Sequence, residues 1–123
     1  MKKIENIHSL AEKICKAEDI ILVGHVNPDG DSIGSLMGMK GFLETVGKKA
    51  TAVVPNGYPD FLAFLDPDQE VLLYNRTPEM TEAAVKEAQL IICMDFNSLE
   101  RIDNLGDVIA NAGCEKVLID HHP

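Results

Sequence analysis

The stretch VGHVNPDGDSIGS, residues 23–35, places His25, Asp29 and Asp31 within seven positions, with Pro28, Gly30 and Gly34 among them. Further along, Asp95 ends the apolar run LIICMD, and Asp120, His121 and His122 end the run KVLIDHH. Three of the chain's four histidines lie in these spots. The chemistry that uses such side chains together is divalent-metal binding. Carboxylate-rich sites with some imidazole suit Mn²⁺ or Mg²⁺, whereas zinc favours more nitrogen and sulfur. Two ions about 3.5–4 Å apart need a bridging carboxylate and separate ligands for each. Asp29 and Asp31 are two positions apart, so a turn or extended segment can aim them at different ions. Gly30 supplies backbone freedom between them and Pro28 restricts the approach. A helix opening at Asp31 offers free N–H groups and a positive dipole end, useful for a carboxylate or a phosphate.

Simpler readings exist for each piece. Taken alone, Asp-Gly-Asp is commonly a surface turn. An EF-hand calcium loop would put Asn27, Asp29 and Asp31 at its first, third and fifth positions. It fails, because Ser32 stands where glycine is required and Gly38 where glutamate is required. A dinucleotide site fails because the turn after the first apolar run lacks G-x-G-x-x-G. Asp95 alone could cap a strand, and His121 and His122 alone could form a solvated terminus. Their convergence on one edge of a sheet is what argues for a site.

The elements that must position these residues follow from the apolar pattern. Ile4, Ile7, Leu10, Ala11, Ile14 and Cys15 keep helical spacing and predict a first helix to about Lys16. IILVG (20–24) is apolar on consecutive positions, as a strand buried on both faces requires. A helix is expected over 31–46 with Gly47 as its stop, and a strand over 49–55 ended by Pro55. A short helix over 60–65 and a strand over 70–74 follow. Thr77 with Pro78 then opens a helix, the hydroxyl acting as N-cap. Strands over 90–95 and 115–120 flank a helix over 101–113 stopped by Gly113. Five strands alternating with helices predict an α/β fold, a Rossmann-like three-layer sandwich around a mainly parallel five-stranded sheet. In such sheets ligands bind outside the carboxyl ends of the strands, which is where the three polar clusters fall.

Composition bounds the function. The chain has 123 residues, is 46% hydrophobic and 25% charged, and reads as one domain, 1–123. Its net charge of −9 argues against a duplex nucleic-acid binder with a basic face, though bound cations would let it handle phosphate. A membrane span needs about 20 apolar residues and none is present. The N-terminus is broken by Glu5, Asn6 and His8 and is not a signal peptide. Cys15, Cys93 and Cys114 are far apart and form no CxxC, so no zinc knuckle or disulfide framework is indicated. Cys15 and Cys93 fit apolar patterns as small buried hydrophobes, and a reducing cytoplasm is the expected location.

On these residues a family resemblance stands out. His25-Val-Asn-Pro28-Asp29-Gly-Asp31-Ser-Ile-Gly34-Ser35 resembles motif I of the DHH phosphoesterases, H-x-x-P-D-x-D-x-x-G-S. CMDFNSLERI resembles motif II around Asp95, and LIDHHP resembles motif III, the signature that names the family. The resemblance runs from Val23 to Pro123, in the family's order. It implies a site for two Mn²⁺ ions, with Mg²⁺ or Co²⁺ able to substitute. His25 and Asp29 would hold one ion, Asp31 and His121 the other, and Asp95 would bridge both. His122 would stabilise charge or act as an acid at the phosphoryl oxygens. Asp120 would orient the histidine pair, or else simply accept backbone N–H bonds at a strand end. The implied reaction is in-line attack of metal-activated water on phosphorus.

This version of motif I looks most like the branch of nano-RNases and 3′-phosphoadenosine 5′-phosphate phosphatases. Its substrates are small nucleotides and short single-stranded RNAs, and its members are cytoplasmic and often homodimers. Cyclic-di-AMP phosphodiesterases and exopolyphosphatases are near relatives. Family enzymes also carry a fourth motif and a C-terminal substrate-binding domain, absent from these 123 residues. The expectation is therefore an N-terminal part of a longer enzyme, binding metal weakly and turning over little by itself. The competing reading is a non-catalytic α/β module that keeps metal ligands by descent. A flavodoxin-like or receiver domain ranks last, since receivers place no histidine pair beside their acidic pocket.

Overall fold

The computed structural model describes residues 2–3, 7–24, 30–55, 71–94 and 105–119. The elements run β1 (Lys2–Lys3), α1 (Ile7–Lys16), β2 (Asp19–Val23), α2 (Gly30–Thr45), β3 (Lys49–Val54), β4 (Leu72–Leu73), α3 (Pro78–Glu87), β5 (Leu90–Met94), α4 (Leu105–Ala110) and β6 (Glu115–Ile119). They form a six-stranded sheet in the order β1-β6-β5-β2-β3-β4, and every pairing is parallel. All five strands expected from the sequence are present. The sixth, Lys2–Lys3, is too short and too polar to show an apolar pattern; it adds to the edge of β6 through Lys2↔Val117 and Lys3↔Leu118.

Topology explains which helix lies on which face. Parallel strands need right-handed crossovers. Connections moving toward β3 and those moving toward β6 therefore place their helices on opposite sides. On one side Ile20, Leu22, Ala52, Val54, Ile92 and Val117 pack under Leu10 and Ile14 of α1 and Leu36 and Leu43 of α2. On the other, Ile21, Val23, Val53, Ile91 and Cys93 pack under Val85 of α3 and Leu105 and Ile109 of α4. Ile20–Val23 and Ile91–Cys93 are wholly buried, which is why β2 and β5 read as unbroken apolar runs rather than alternating ones.

Boundaries differ from the sequence reading in instructive places. The α2 stop is as expected: Gly47 adopts φ 83°, and a Schellman arrangement forms, with Lys48 N–H donating to Leu43 O at 3.0 Å and Gly47 N–H to Glu44 O at 3.1 Å. β4 shrinks to two residues because only the last pair of β3, Val53 and Val54, lies alongside it. Thr77 precedes α3, with Pro78 as first helical residue, but its hydroxyl makes no cap; it donates back to Leu73 O at 3.3 Å. α4 ends at Ala110, before Gly113. Cys93 and Ala17 are buried, whereas Cys15 is exposed: one step past Ile14 on α1, it turns from the sheet toward a groove shared with Met39 and Phe42. The helix expected over 60–65, and the starts of those expected at Ile4 and Arg101, lie outside the described residues.

Candidate metal centre

The sheet order contains one reversal. From β2 the chain moves to β3 and β4 on one side, then returns to β5 and β6 on the other. The crevice at such a switch point, beyond the carboxyl ends of β2 and β5, is where ligands bind in open α/β sheets. Register brings three strand ends level there: Val23 lies beside Cys93, Cys93 beside Leu118, and Met94 beside Ile119. The next residues in the chain are Gly24, then Asp95, then Asp120. With strands about 4.8 Å apart, the three departure points span about 10 Å. That span matches a site for two ions about 3.5–4 Å apart with ligands around them.

The first approach to the crevice is tightly built. Gly24 is buried and its N–H donates to Val53 O at 2.9 Å, extending the ladder one residue past β2. α2 then begins at Gly30, so Asp31 stands in its first turn. Helices that return between parallel strands run against them, so the amino end of this 16-residue helix lies at the carboxyl edge. Its unpaired N–H groups and positive dipole end favour an anion there. The structure thus places the backbone of Asp31 at the expected edge. His25, Asp29, Asp95, Asp120, His121 and His122, and the side chain of Asp31, lie outside what is described. Among the described residues no cluster of His, Cys, Asp and Glu is arranged to hold a metal.

The donor set itself fits a hard divalent cation. Asp29, Asp31 and Asp95 offer oxygen, and His25 and His121 nitrogen. Lys40 on α2, Arg101 in the second motif and Lys116 at the start of the third run are the nearest cations in sequence. Cys93, two positions before Asp95, belongs to the core rather than to the donor set. That side chain packs with Val23 and Leu105, and burial pushes its thiol up to about 12, so it stays protonated at neutral pH. Burial also raises the Cys114 thiol. Arg76, a residue that could have lined the cleft, sits in the turn after β4, where its N–H donates to Leu73 O at 2.9 Å. Sequence reasoning did miss Gly24. A glycine closing the run immediately before His25 does not itself show the need for it, because the atoms that crowd it, Leu36 Cδ1 and Val54 Cγ1, come from elsewhere in the chain.

A parallel sheet with level strand ends at its switch point defines a class, the doubly wound α/β domains that take ligands at the carboxyl edge. The model of the DHH family, N-terminal domain, matches residues 19–123, and the chain belongs to that family. Family members are in general divalent-metal-dependent hydrolases of phosphoesters. Among curated proteins the chain is similar to cyclic-di-AMP phosphodiesterase PdeA of Listeria monocytogenes serotype 1/2a (strain 10403S), 26% identical over 119 residues, which is 93% of this chain and 18% of PdeA. Among solved structures it superposes on an exopolyphosphatase-related protein from Bacteroides fragilis with a TM-score of 0.90 and 40% identity, covering 94% of this chain and 34% of that one. The chain therefore spans well under half the length of either relative. No helix among the described residues is long and apolar enough to cross a membrane.

Proposed function

We propose that this chain carries the metal-binding half of a Mn²⁺-dependent phosphoesterase that hydrolyses small nucleotides or short single-stranded RNAs. The observation that carries the reading is the alignment of β2, β5 and β6, whose level carboxyl ends lead directly into the three motifs. His25 and Asp29 would hold one ion, Asp31 and His121 the second, and Asp95 would serve both. Two bound divalent ions supply an activated water and neutralise charge developing on phosphorus. His122 donates to phosphoryl oxygens, and Asp120 fixes the tautomer and orientation of the histidine pair. The amino end of α2 adds N–H donors to the same crevice.

The kinship to PdeA supports a second reading of the substrate, a cyclic dinucleotide, and the exopolyphosphatase-related neighbour a third, polyphosphate. The rest of the enzyme, with the fourth motif and a substrate-gripping domain, sets that choice, so this piece alone is expected to turn over slowly. The test is hydrolysis of short RNA, 3′-phosphoadenosine 5′-phosphate, cyclic di-AMP and polyphosphate by the full-length protein, with Mn²⁺ and with chelator. Mn²⁺-dependent cleavage of the first two supports the main reading. Cleavage restricted to cyclic di-AMP or polyphosphate replaces it, and metal binding without hydrolysis of any favours a non-catalytic module.

A further inference from the structure

We propose that Gly24 and Leu36 form a size-matched pair that sets how closely α2 approaches the end of β2, making Gly24 a positioning residue for the metal ligands on either side of it. The inference rests on the metal reading above and names a residue the motif chemistry does not use.

Gly24 is not needed for backbone freedom. Its φ lies outside the left-handed region, unlike that of Gly47 at 83°. Space is the reason. A Cβ at position 24 would stand 2.8 Å from Leu36 Cδ1, 3.1 Å from Val54 Cγ1 and 3.7 Å from Leu36 Cγ. The first distance is shorter than real Cβ atoms show, and Leu36 has little room to yield, being 1% exposed and packed on the sheet. The contact is local. Along α2, a Cβ at Gly34, Gly38 or Gly41 would meet nothing within 4 Å among the described residues. Among the described glycines of this region only Gly24 is crowded, and it is the residue before His25, while Leu36 lies five residues along the helix from Asp31.

Magnitude decides why this matters for metal rather than for folding alone. Restoring ordinary contact between a Cβ and Leu36 requires a movement of roughly 0.5–1 Å, the gap over which a van der Waals contact is gained or lost. A packed core absorbs such a shift at modest cost. A metal site does not, since its ligands must be held within about 0.5 Å and its bond lengths within about 0.2 Å. An added methyl group at position 24 should thus shift α2 against the end of β2 enough to lower affinity while leaving the sheet folded.

The experiment is Mn²⁺ calorimetry with thermal unfolding on the wild type, Gly24→Ala, Leu36→Val and the double variant. Shortening Leu36 removes Cδ1, the one atom the new Cβ would meet below 3 Å, and leaves the milder 3.1 Å approach to Val54 Cγ1. We expect Gly24→Ala to weaken Mn²⁺ binding about 10–100-fold, the range for residues that orient metal ligands, with Leu36→Val nearly silent and the double variant restored to within a few-fold of wild type. A purely structural role would lower the unfolding temperature without this pattern of loss and rescue. Folded Gly24→Ala that binds like wild type overturns the proposal, as does equal weakening in Gly24→Ala and the double variant. Should Gly24→Ala fail to fold, the double variant decides: near-wild-type affinity supports the pairing and weakened affinity overturns it. Wild-type protein that binds no Mn²⁺ removes the metal reading itself and the proposal with it, whereas a tight wild type with an indifferent Gly24→Ala removes the proposal alone.

Discussion

At the amino end of the sheet, acidic residues come with their own cations. Lys13 pairs with Glu115, Lys48 Nζ lies 3.3 Å from Glu18 Oε1, and Lys49 Nζ 3.8 Å from Asp19 Oδ2. Gln89 Oε1 accepts the Glu18 N–H at 2.6 Å, and Lys48 also donates to the last-turn carbonyl of Cys15 at 3.2 Å. At the carboxyl end the same strands finish in apolar residues, Val23, Cys93, Met94 and Ile119, and then lead into Asp29, Asp31, Asp95 and Asp120, with His25, His121 and His122 beside them in sequence. The two ends differ in where the balancing charge comes from. Carboxylates meant for structure bring lysines with them. Carboxylates gathered beside imidazoles at strand ends suit divalent ions as the balancing charge.

The comparison can be strained from both ends, starting with what they share. Ile92 is fully buried between Leu22 and Val117 in neighbouring strands, so Ile92→Ala should destabilise the fold by about 2–5 kcal/mol and weaken both ends together. Denaturant unfolding measures it; a loss below about 1 kcal/mol would mean the central strands carry less of the core than their burial indicates. Gly47→Ala, at φ 83°, should cost about 1–2 kcal/mol by straining the C-terminal stop of α2, with little effect on Mn²⁺ affinity because the helix's other end faces the crevice. Smallest is Lys48→Met. Glu18 is 73% exposed in its side chain, so losing the pair should cost about 1 kcal/mol or less and leave metal binding unchanged. A metal-affinity change in Lys48→Met would break the division between a structural and a chemical end.

The fold was largely legible because buried parallel strands are written in consecutive apolar residues: Ile20–Val23 and Ile91–Cys93 leave little alternative. Lys2–Lys3 was illegible for the opposite reason, since a two-residue edge strand makes only backbone pairings and asks nothing of its side chains. Thr77 misled in a small way, because its hydroxyl found Leu73 O rather than the helix N–H groups a cap serves. The candidate site was legible as residue types and as strand ends. Gly24 was not, because the need for a missing side chain is created by Leu36, twelve positions on, and Val54, thirty positions on, brought to it only by folding. The Schellman stop at Gly47 needed no such partner and was readable locally.

The measurement that bears most directly on the account is Mn²⁺ titration by calorimetry of the wild type beside Asp95→Ala. Asp95 follows the central strand β5, between the ends of β2 and β6, and is assigned to both ions. The account predicts wild-type binding that falls at least about 100-fold in Asp95→Ala, beyond what residues behind the ligands contribute, with an unfolding midpoint little changed. Equal Mn²⁺ affinity in the two proteins would contradict a shared metal centre at the carboxyl end of this sheet.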